Sequence, residues 1–275
     1  MPQNNRPNSV LNLNKAIHRL ASDDKDFVEI RDYFATVVVI QMLSNCVIKG
    51  GASLKLRYGS KETRFTDDLD TALKIDNEQF ADILQDNLLK GWNGFTGSVI
   101  KRPKAHPKNI KEAYVMQPYD IKLAYLNRAF CTVRLEATYN EIDDAEVADM
   151  VEANKAGTLF ENLGFPQPSV VPLMTINYQI AQKLHGLTET NSMRVHDLVD
   201  LQIIFNRSDI DYTELKNICK RLFAYRAMQE WPPVVQKQID WSERYNEYTN
   251  IKNVDSDLDN AIKWINSIIK DIDKS

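Results

Sequence analysis

Residues 33–48 carry no charged side chain, and this run sets the first condition on the fold. It is shorter than the ~20 apolar residues a membrane span needs, so protein must cover it. Helical periodicity predicts helices over 9–21 and 26–44, the second almost wholly apolar in its second half. Cys46, Val47 and Ile48 then form a short apolar run closed by Lys49-Gly50-Gly51. That pattern reads as a strand entering a glycine turn, with a helix from about Ala52.

Further on, 68–75 alternates loosely and reads as a strand, and 77–92 reads as a helix. The segments 95–100, 114–126 and 130–141 carry the β-branched and aromatic content of strands. Beyond about 175 only helical spacing remains. Thr175 stands as an N-cap for a helix with Ile176, Ile180, Leu184 and Leu187 on one face. Helices are predicted over 195–205, 211–227 and 255–272, while 143–174 has no clear pattern. The chain therefore reads as α+β: a mixed sheet flanked by helices, then a mainly helical region. The expected division is 1–145 and 146–275.

Composition narrows the classes of function. A hydrophobic fraction of 43% and a charged fraction of 26% are those of an ordinary globular chain. The net charge of −4 argues against a protein coated in basic surface. It leaves room for local inversions, and 100–111 is one. Lys101, Arg102, Lys104, Lys108 and Lys111 occur there without an acid, a pattern suited either to an RNA backbone or to a solvated loop. The three cysteines, at 46, 131 and 219, form no CxxC and no disulfide framework, which fits a reducing cytoplasm. Residues 1–20 are polar and lack the apolar core of a secretory signal.

The chemistry-bearing segment is KGGASLKLRYGSKETRFTDDLD, residues 49–70. Asp68 and Asp70 flank Leu69, so on a strand both carboxylates share a face and repel. A divalent cation relieves that repulsion, and Mg²⁺ favours such oxygen ligands. With Asp67 alongside, a solvated acidic turn is the plainer alternative. Gly50 and Gly51, between a strand and a helix, let backbone approach a phosphate, which free helix N–H groups then bind. Ser53 can add a hydroxyl. Thr66 and Arg64 continue the Asp68 face, suited to phosphate contact or to local turn and ion-pair roles. Glu136 alternates with Val133, Leu135 and Ala137 and faces away from them. Arg134 shares its face, so the two read as a solvent-side Arg–Glu pair. Lys183 lies beside the apolar stripe of its helix, and Asp197 and Asp200 fall on one helix face. The histidines at 18, 106, 185 and 196 have no metal-ligand spacing.

These motifs resemble the nucleotidyltransferase superfamily related to DNA polymerase β, and within it the AbiEii/AbiGii branch with its MenT-type toxins. The first motif stands as Lys49-Gly50-Gly51-Ala52-Ser53-Leu54 followed by Arg64, Thr66, Asp68, Leu69 and Asp70. The second stands as Gln182-Lys183-Leu184-His185-Gly186-Leu187 followed by Arg194-Val195-His196-Asp197-Leu198-Val199-Asp200-Leu201, with His196 between the usually adjacent Arg and Asp. The resemblance implies a polymerase-β-like sheet and a helical C-terminal domain that completes the active site. It implies an Mg²⁺- or Mn²⁺-dependent enzyme in which Asp68 and Asp70 hold the metal, with a third carboxylate on a neighbouring strand for which Glu136 is the candidate and Asp120 a weaker competitor. Gly50, Gly51, Ser53, Arg64, Thr66 and Lys183 would then bind the NTP, with Asp197 supporting the site. It further implies a cytoplasmic toxin, paired with an antitoxin, that moves NMP to RNA, the tRNA 3′ end above all. A small-molecule antibiotic or a protein is the alternative acceptor.

Overall fold

The computed structural model describes residues 6–105 and 115–275. Two compact units divide them. The first comprises 6–60, 65–105, 115–140 and 145–173, and the second 61–64, 141–144 and 174–275.

The first unit is built on a seven-stranded mixed sheet. Its strands are β1 (Cys46–Ile48), β2 (Asp68–Leu73), β3 (Phe95–Lys101), β4 (Gln117–Tyr125), β5 (Arg128–Thr138), β6 (Ala148–Val151) and β7 (Val171–Met174), in the order β3-β4-β5-β2-β1-β7-β6. β2 runs antiparallel to β1 and parallel to β5. The unit's helices are α1 (Val10–His18), α2 (Asp24–Ile40), α3 (Gly50–Tyr58), α4 (Asn77–Lys90) and α5 (Asn154–Asn162). Ser9, Asp23 and Asp76 cap α1, α2 and α4 by accepting from amides of the first turn.

The uncharged run divides in two. α2 stops at Ile40, earlier than the predicted 44, and the chain turns through Asn45 at a left-handed φ of 57° before β1. Its apolar half, Phe34 and Val37 to Ile40, is buried in a core with Leu69, Leu135, Phe95, Phe160 and Phe165. Phe34 touches the rings of Phe95, Phe130, Phe160 and Phe165. One face of the central strands therefore packs on helices, and the charged residues of β2 and β5 fall on the other. α3 starts at Gly50 rather than Ala52, so both glycines lie in its first turn. The stretch 143–174, unreadable by pattern, supplies β6, α5 and β7. The sheet thus continues past residue 145.

The second unit is helical: α6 (Ile176–Leu187), α7 (Val195–Phe205), α8 (Tyr212–Arg226), α9 (Trp241–Asn246) and α10 (Leu258–Lys274). α6 packs on α7 and α8, and α7 also contacts α9 and α10. Thr175 takes the N-cap position of α6, but its side chain makes no capping bond. Asp211 does cap α8, accepting from Thr213 and Glu214. Among the described residues no helix is long and apolar enough to cross a membrane.

Candidate active site

The glycine turn and the carboxylate strand meet. The Lys49 amide donates to the Asp70 carbonyl (2.9 Å), locking the end of β1 to β2. Gly50 has φ +61°, and a Cβ built on it would lie 2.1 Å from Asp70 Oδ2. The Asp70 carboxylate thus rests on the bare α-carbon of Gly50, a contact only glycine permits. Gly51 is covered by Thr66, whose Cγ2 would be 2.8 Å from an added Cβ. The first intrahelical bond of α3 runs from the Ser53 amide to the Lys49 carbonyl (3.3 Å). The amides of residues 50–52 precede it and have no carbonyl within their own helix.

Asp68 and Asp70 are half-buried on either side of the fully buried Leu69, so both carboxylates share the face opposite the core. The β2–β5 ladder sets Asp70 beside Glu136 and Asp68 beside Arg134. Glu136 is also half-buried, on the same face. Asp120 lies one strand further out, opposite Arg134, and pairs with Lys122 (3.6 Å) and Arg102 (3.9 Å). Register therefore favours Glu136 as the carboxylate next to the pair.

Among the described residues no group of three or more His, Cys, Asp and Glu is placed to hold a metal ion. The donors present, two carboxylates on alternate residues of one strand, are those Mg²⁺ accepts when substrate phosphates and water complete its shell. On that chemistry the residues fit a divalent cation.

Ser53 is fully buried, so its hydroxyl does not face solvent. Lys55 has no counterpart in the sequence reading. It is 5% exposed, donates to the Thr66 carbonyl (3.1 Å) and stacks on the Phe65 ring (4.6 Å). It lines a narrow cavity with Tyr33, Thr36, Thr66 and Asp68. The sequence signal was faint: a lysine between two leucines inside a nine-residue helix.

The second unit gathers the other predicted residues into a buried ion cluster. Lys183 Nζ donates to Asp197 Oδ1 (2.8 Å) and Asp200 Oδ2 (2.6 Å). Arg194 Nε reaches Asp197 Oδ2 at 2.6 Å, across Val195 and His196. The inserted histidine thus leaves the Arg–Asp pairing intact. Gly186 makes room, since a Cβ there would lie 2.7 Å from Arg194 Nε. Arg64 grips Asp200 through Nε and Nη2 (3.1–3.2 Å), the acid-pairing alternative for that residue. Both carboxylates are 0% exposed. Burial would raise their pKa values, but the Lys183 and Arg194 cations hold Asp197 well below the usual carboxylate range. Arg64 and Lys183 do the same for Asp200. Three cations, Arg64, Lys183 and Arg194, thus face these two buried carboxylates. Burial, with Arg64, Arg194 and Lys183 nearby, pushes the His196 imidazole down to about 4, against the pull of Asp197. His185 is fully buried and pairs with Glu189 (3.2 Å).

Of the basic segment, Lys101 and Arg102 are exposed, and Lys104 lies over the Tyr139 ring (5.5 Å). Lys108, Lys111 and His106 lie outside the described residues. His18 is on the surface near Asp24 (3.6 Å).

A glycine turn that opens a helix against a strand of alternating carboxylates sets an anion-binding helix end beside donors for a divalent cation. The chain belongs to the nucleotidyl transferase AbiEii toxin family of type IV toxin–antitoxin systems, whose model matches residues 37–264. It is a nucleotidyl-transfer enzyme of that family, and its fold is the mixed sheet with C-terminal helices described above. No curated protein matches it. Among solved structures it is similar to JHP933 from Helicobacter pylori, at 17% identity and a TM-score of 0.46, covering 92% of this chain and 93% of that one. It is also similar to MenT4, a nucleotidyltransferase toxin from Mycobacterium tuberculosis H37Rv, at 13% identity and a TM-score of 0.48, covering 96% and 97%.

Proposed function

We propose that this enzyme transfers NMP from an NTP to the 3′-hydroxyl of an RNA, the tRNA 3′ end, with Mg²⁺ held by Asp68 and Asp70. The observation that carries the proposal is the placement of both carboxylates on one strand face, with Asp70 against the glycine turn that opens α3. The amides of residues 50–52 receive the triphosphate, in the manner of other helix N-termini that bind anions. Bound Mg²⁺ supplies neutralisation of the charge that develops on the phosphates. Glu136, beside Asp70, takes the proton of the acceptor hydroxyl. The oxygen forms a bond to the α-phosphorus, the α–β phosphoanhydride breaks, and pyrophosphate leaves. Lys183 and Asp197, joined in one cluster with Arg64 and Arg194, serve nucleotide binding. The exposed Lys101 and Arg102, with Lys104, Lys108 and Lys111, hold the RNA backbone.

The test is incubation with each labelled NTP, Mg²⁺ and total tRNA, alongside Asp68→Asn. Label on tRNA 3′ ends that disappears in the variant supports the reading. Absence of Asp68-dependent label on any RNA overturns it, and label on protein or on a small molecule assigns a different acceptor.

A further inference from the structure

The middle of α2 buries a tyrosine that takes no part in the transfer scheme. Tyr33 is 5% exposed, and its hydroxyl is buried with no hydrogen-bond partner among the described residues. Burial pushes its pKa up, so the group stays protonated, able to donate and to accept. A buried hydroxyl left unpaired is costly, and nearly all such groups in folded proteins bond to protein or to ordered water.

Tyr33 lines the same narrow cavity as Lys55, a seam between two helix faces. α2 gives it Tyr33, Thr36, Val37 and Ile40, the i, i+3, i+4 and i+7 positions of one face. α3 gives it Ala52, Lys55 and Leu56, again a single face. Thr66 and Asp68 close it where the chain enters β2. Its water-accessible volume is about 10 Å³, room for a single water molecule, which needs ~10–15 Å³ by the same measure. Cavities that stay dry are lined by apolar groups alone. Here three hydroxyl residues, an ammonium and the first residue of β2 offer the two to four polar partners that an internal water takes.

The water site lies on the approach to Asp68. Thr66 is gripped from α3 at two points one turn apart: its side chain lies over Gly51, and its carbonyl accepts from Lys55 Nζ (3.1 Å). Asp70 rests on Gly50, at the start of the same helix. A water between Tyr33 and the Thr66–Asp68 segment adds a tie to α2, whose Phe34, Val37 and Ile40 sit in the core. The open end of the carboxylate strand is then held from two helices.

We propose that this cavity binds one internal water and that Tyr33, acting through it, is a positioning residue for Asp68. The proposal rests on the reading of Asp68 as a metal ligand. Tyr33 touches neither cation nor nucleotide in this role. Its hydroxyl bonds the water, the water bonds the Thr66–Asp68 segment, and Asp68 is held where the cation needs it. Groups that orient a metal ligand from outside the coordination shell commonly change metal affinity ~10–100-fold when removed, and a tie through water changes it less.

Two measurements test this. Crystal structures should show one ordered water about 2.5–3.0 Å from Tyr33 Oη in the wild type and none there in Tyr33→Phe. Mn²⁺ binding, read from the electron paramagnetic resonance signal of the free ion with a non-hydrolysable NTP analogue present, should weaken at least threefold in Tyr33→Phe and further in Asp68→Asn. Val37→Ala, which removes apolar volume from the same seam, is the control. It should lower the urea unfolding midpoint at least as far as Tyr33→Phe does and leave Mn²⁺ affinity within twofold. No water in the wild type, or one retained in Tyr33→Phe, overturns the proposal. So does an Mn²⁺ affinity that Tyr33→Phe leaves unchanged, or an equal weakening in Val37→Ala, which assigns the effect to packing. Mn²⁺ binding that Asp68→Asn leaves unmoved overturns the metal reading itself, and the role of Tyr33 with it.

Discussion

Gly50 is where fold and chemistry are most tightly joined, and Gly50→Ala separates them. The added methyl would lie 2.1 Å from Asp70 Oδ2 and 3.0 Å from Cγ, whereas ordinary contact begins near 3.4 Å. The carboxylate must therefore retreat by more than 1 Å or the first turn of α3 must shift. A displacement of that size in a catalytic group costs about 10²-fold in rate, equivalent to about 2.7 kcal/mol of barrier. Stability falls as well. The left-handed φ of +61° costs a non-glycine residue about 1–2 kcal/mol, and the overlap adds about 1–3 kcal/mol. The two terms separate in an Asp70→Ala background. Truncation removes the oxygen and leaves only Cβ, 3.2 Å away, so Gly50→Ala there costs little beyond the φ term. Gly51→Ala is the control, because its nearest contacts are with the Thr66 side chain at 2.8–3.2 Å and it has no positive φ. Labelled-NTP transfer should rank the variants wild type, Gly51→Ala, then Gly50→Ala, and denaturant unfolding should give the cycle. A Gly50→Ala enzyme within threefold of wild type, or a stability loss unchanged by Asp70→Ala, would refute the reasoning.

Lys183→Met leaves Asp197 and Asp200 buried without the ammonium they share and should destabilise the protein by about 3–5 kcal/mol in urea unfolding; a loss below 1 kcal/mol would show the two arginines suffice. Stability should fall with acidification through the window between ~6.5 and about 4, because the unfolded chain protonates His196 where the folded chain keeps it neutral; His196→Gln should flatten that limb of the stability–pH curve. Below ~4 a second loss should follow as unfolded carboxylates take up protons that Asp197 and Asp200 refuse, and this limb should survive His196→Gln. Lys55→Met leaves the Thr66 carbonyl without its donor and should cost about 1–3 kcal/mol and lower transfer, whereas Lys55→Arg should recover most of both; equal losses in the two variants would argue against the hydrogen bond.

The parts of the fold legible in the sequence are those whose signal is local. β1 and α7 have the predicted limits, Cys46–Ile48 and Val195–Phe205. A β-branched run closed by Lys-Gly-Gly and a long amphipathic repeat each specify one structure. The uncharged run hid its own boundary. Apolar content continues through the end of α2, the turn at Asn45 and β1, and only the Ser44-Asn45 pair marks the break. α9 spans only six residues, and β6 and β7 four each, too short for periodicity to register. Trp241 and Tyr245, four apart, were the one trace of α9, and both are fully buried.

The site divides along the same line. Alternation made the shared face of Asp68 and Asp70 readable, and the ladder then supplied what alternation lacks, a partner across the strand: Asp70 beside Glu136 and Asp68 beside Arg134. Spacing also put Asp197 and Asp200 on one helix face, but it could not say whether that face was wet. A surface pair of this kind contributes little, about 0–1 kcal/mol. At 0% exposure each carboxylate must instead be matched by cations already committed to it, and one of these, Arg64, comes from 136 residues earlier in the chain. No local pattern encodes that pairing. Arg64 follows the glycine helix and precedes the carboxylate strand, so it read as a phosphate ligand, yet its planar guanidinium is satisfied twice over by Asp200. An arginine so held is committed to Asp200, and its role is to stabilise the buried cluster. Arg64→Lys, which keeps the charge and loses the fork, should therefore cost stability before it costs nucleotide affinity.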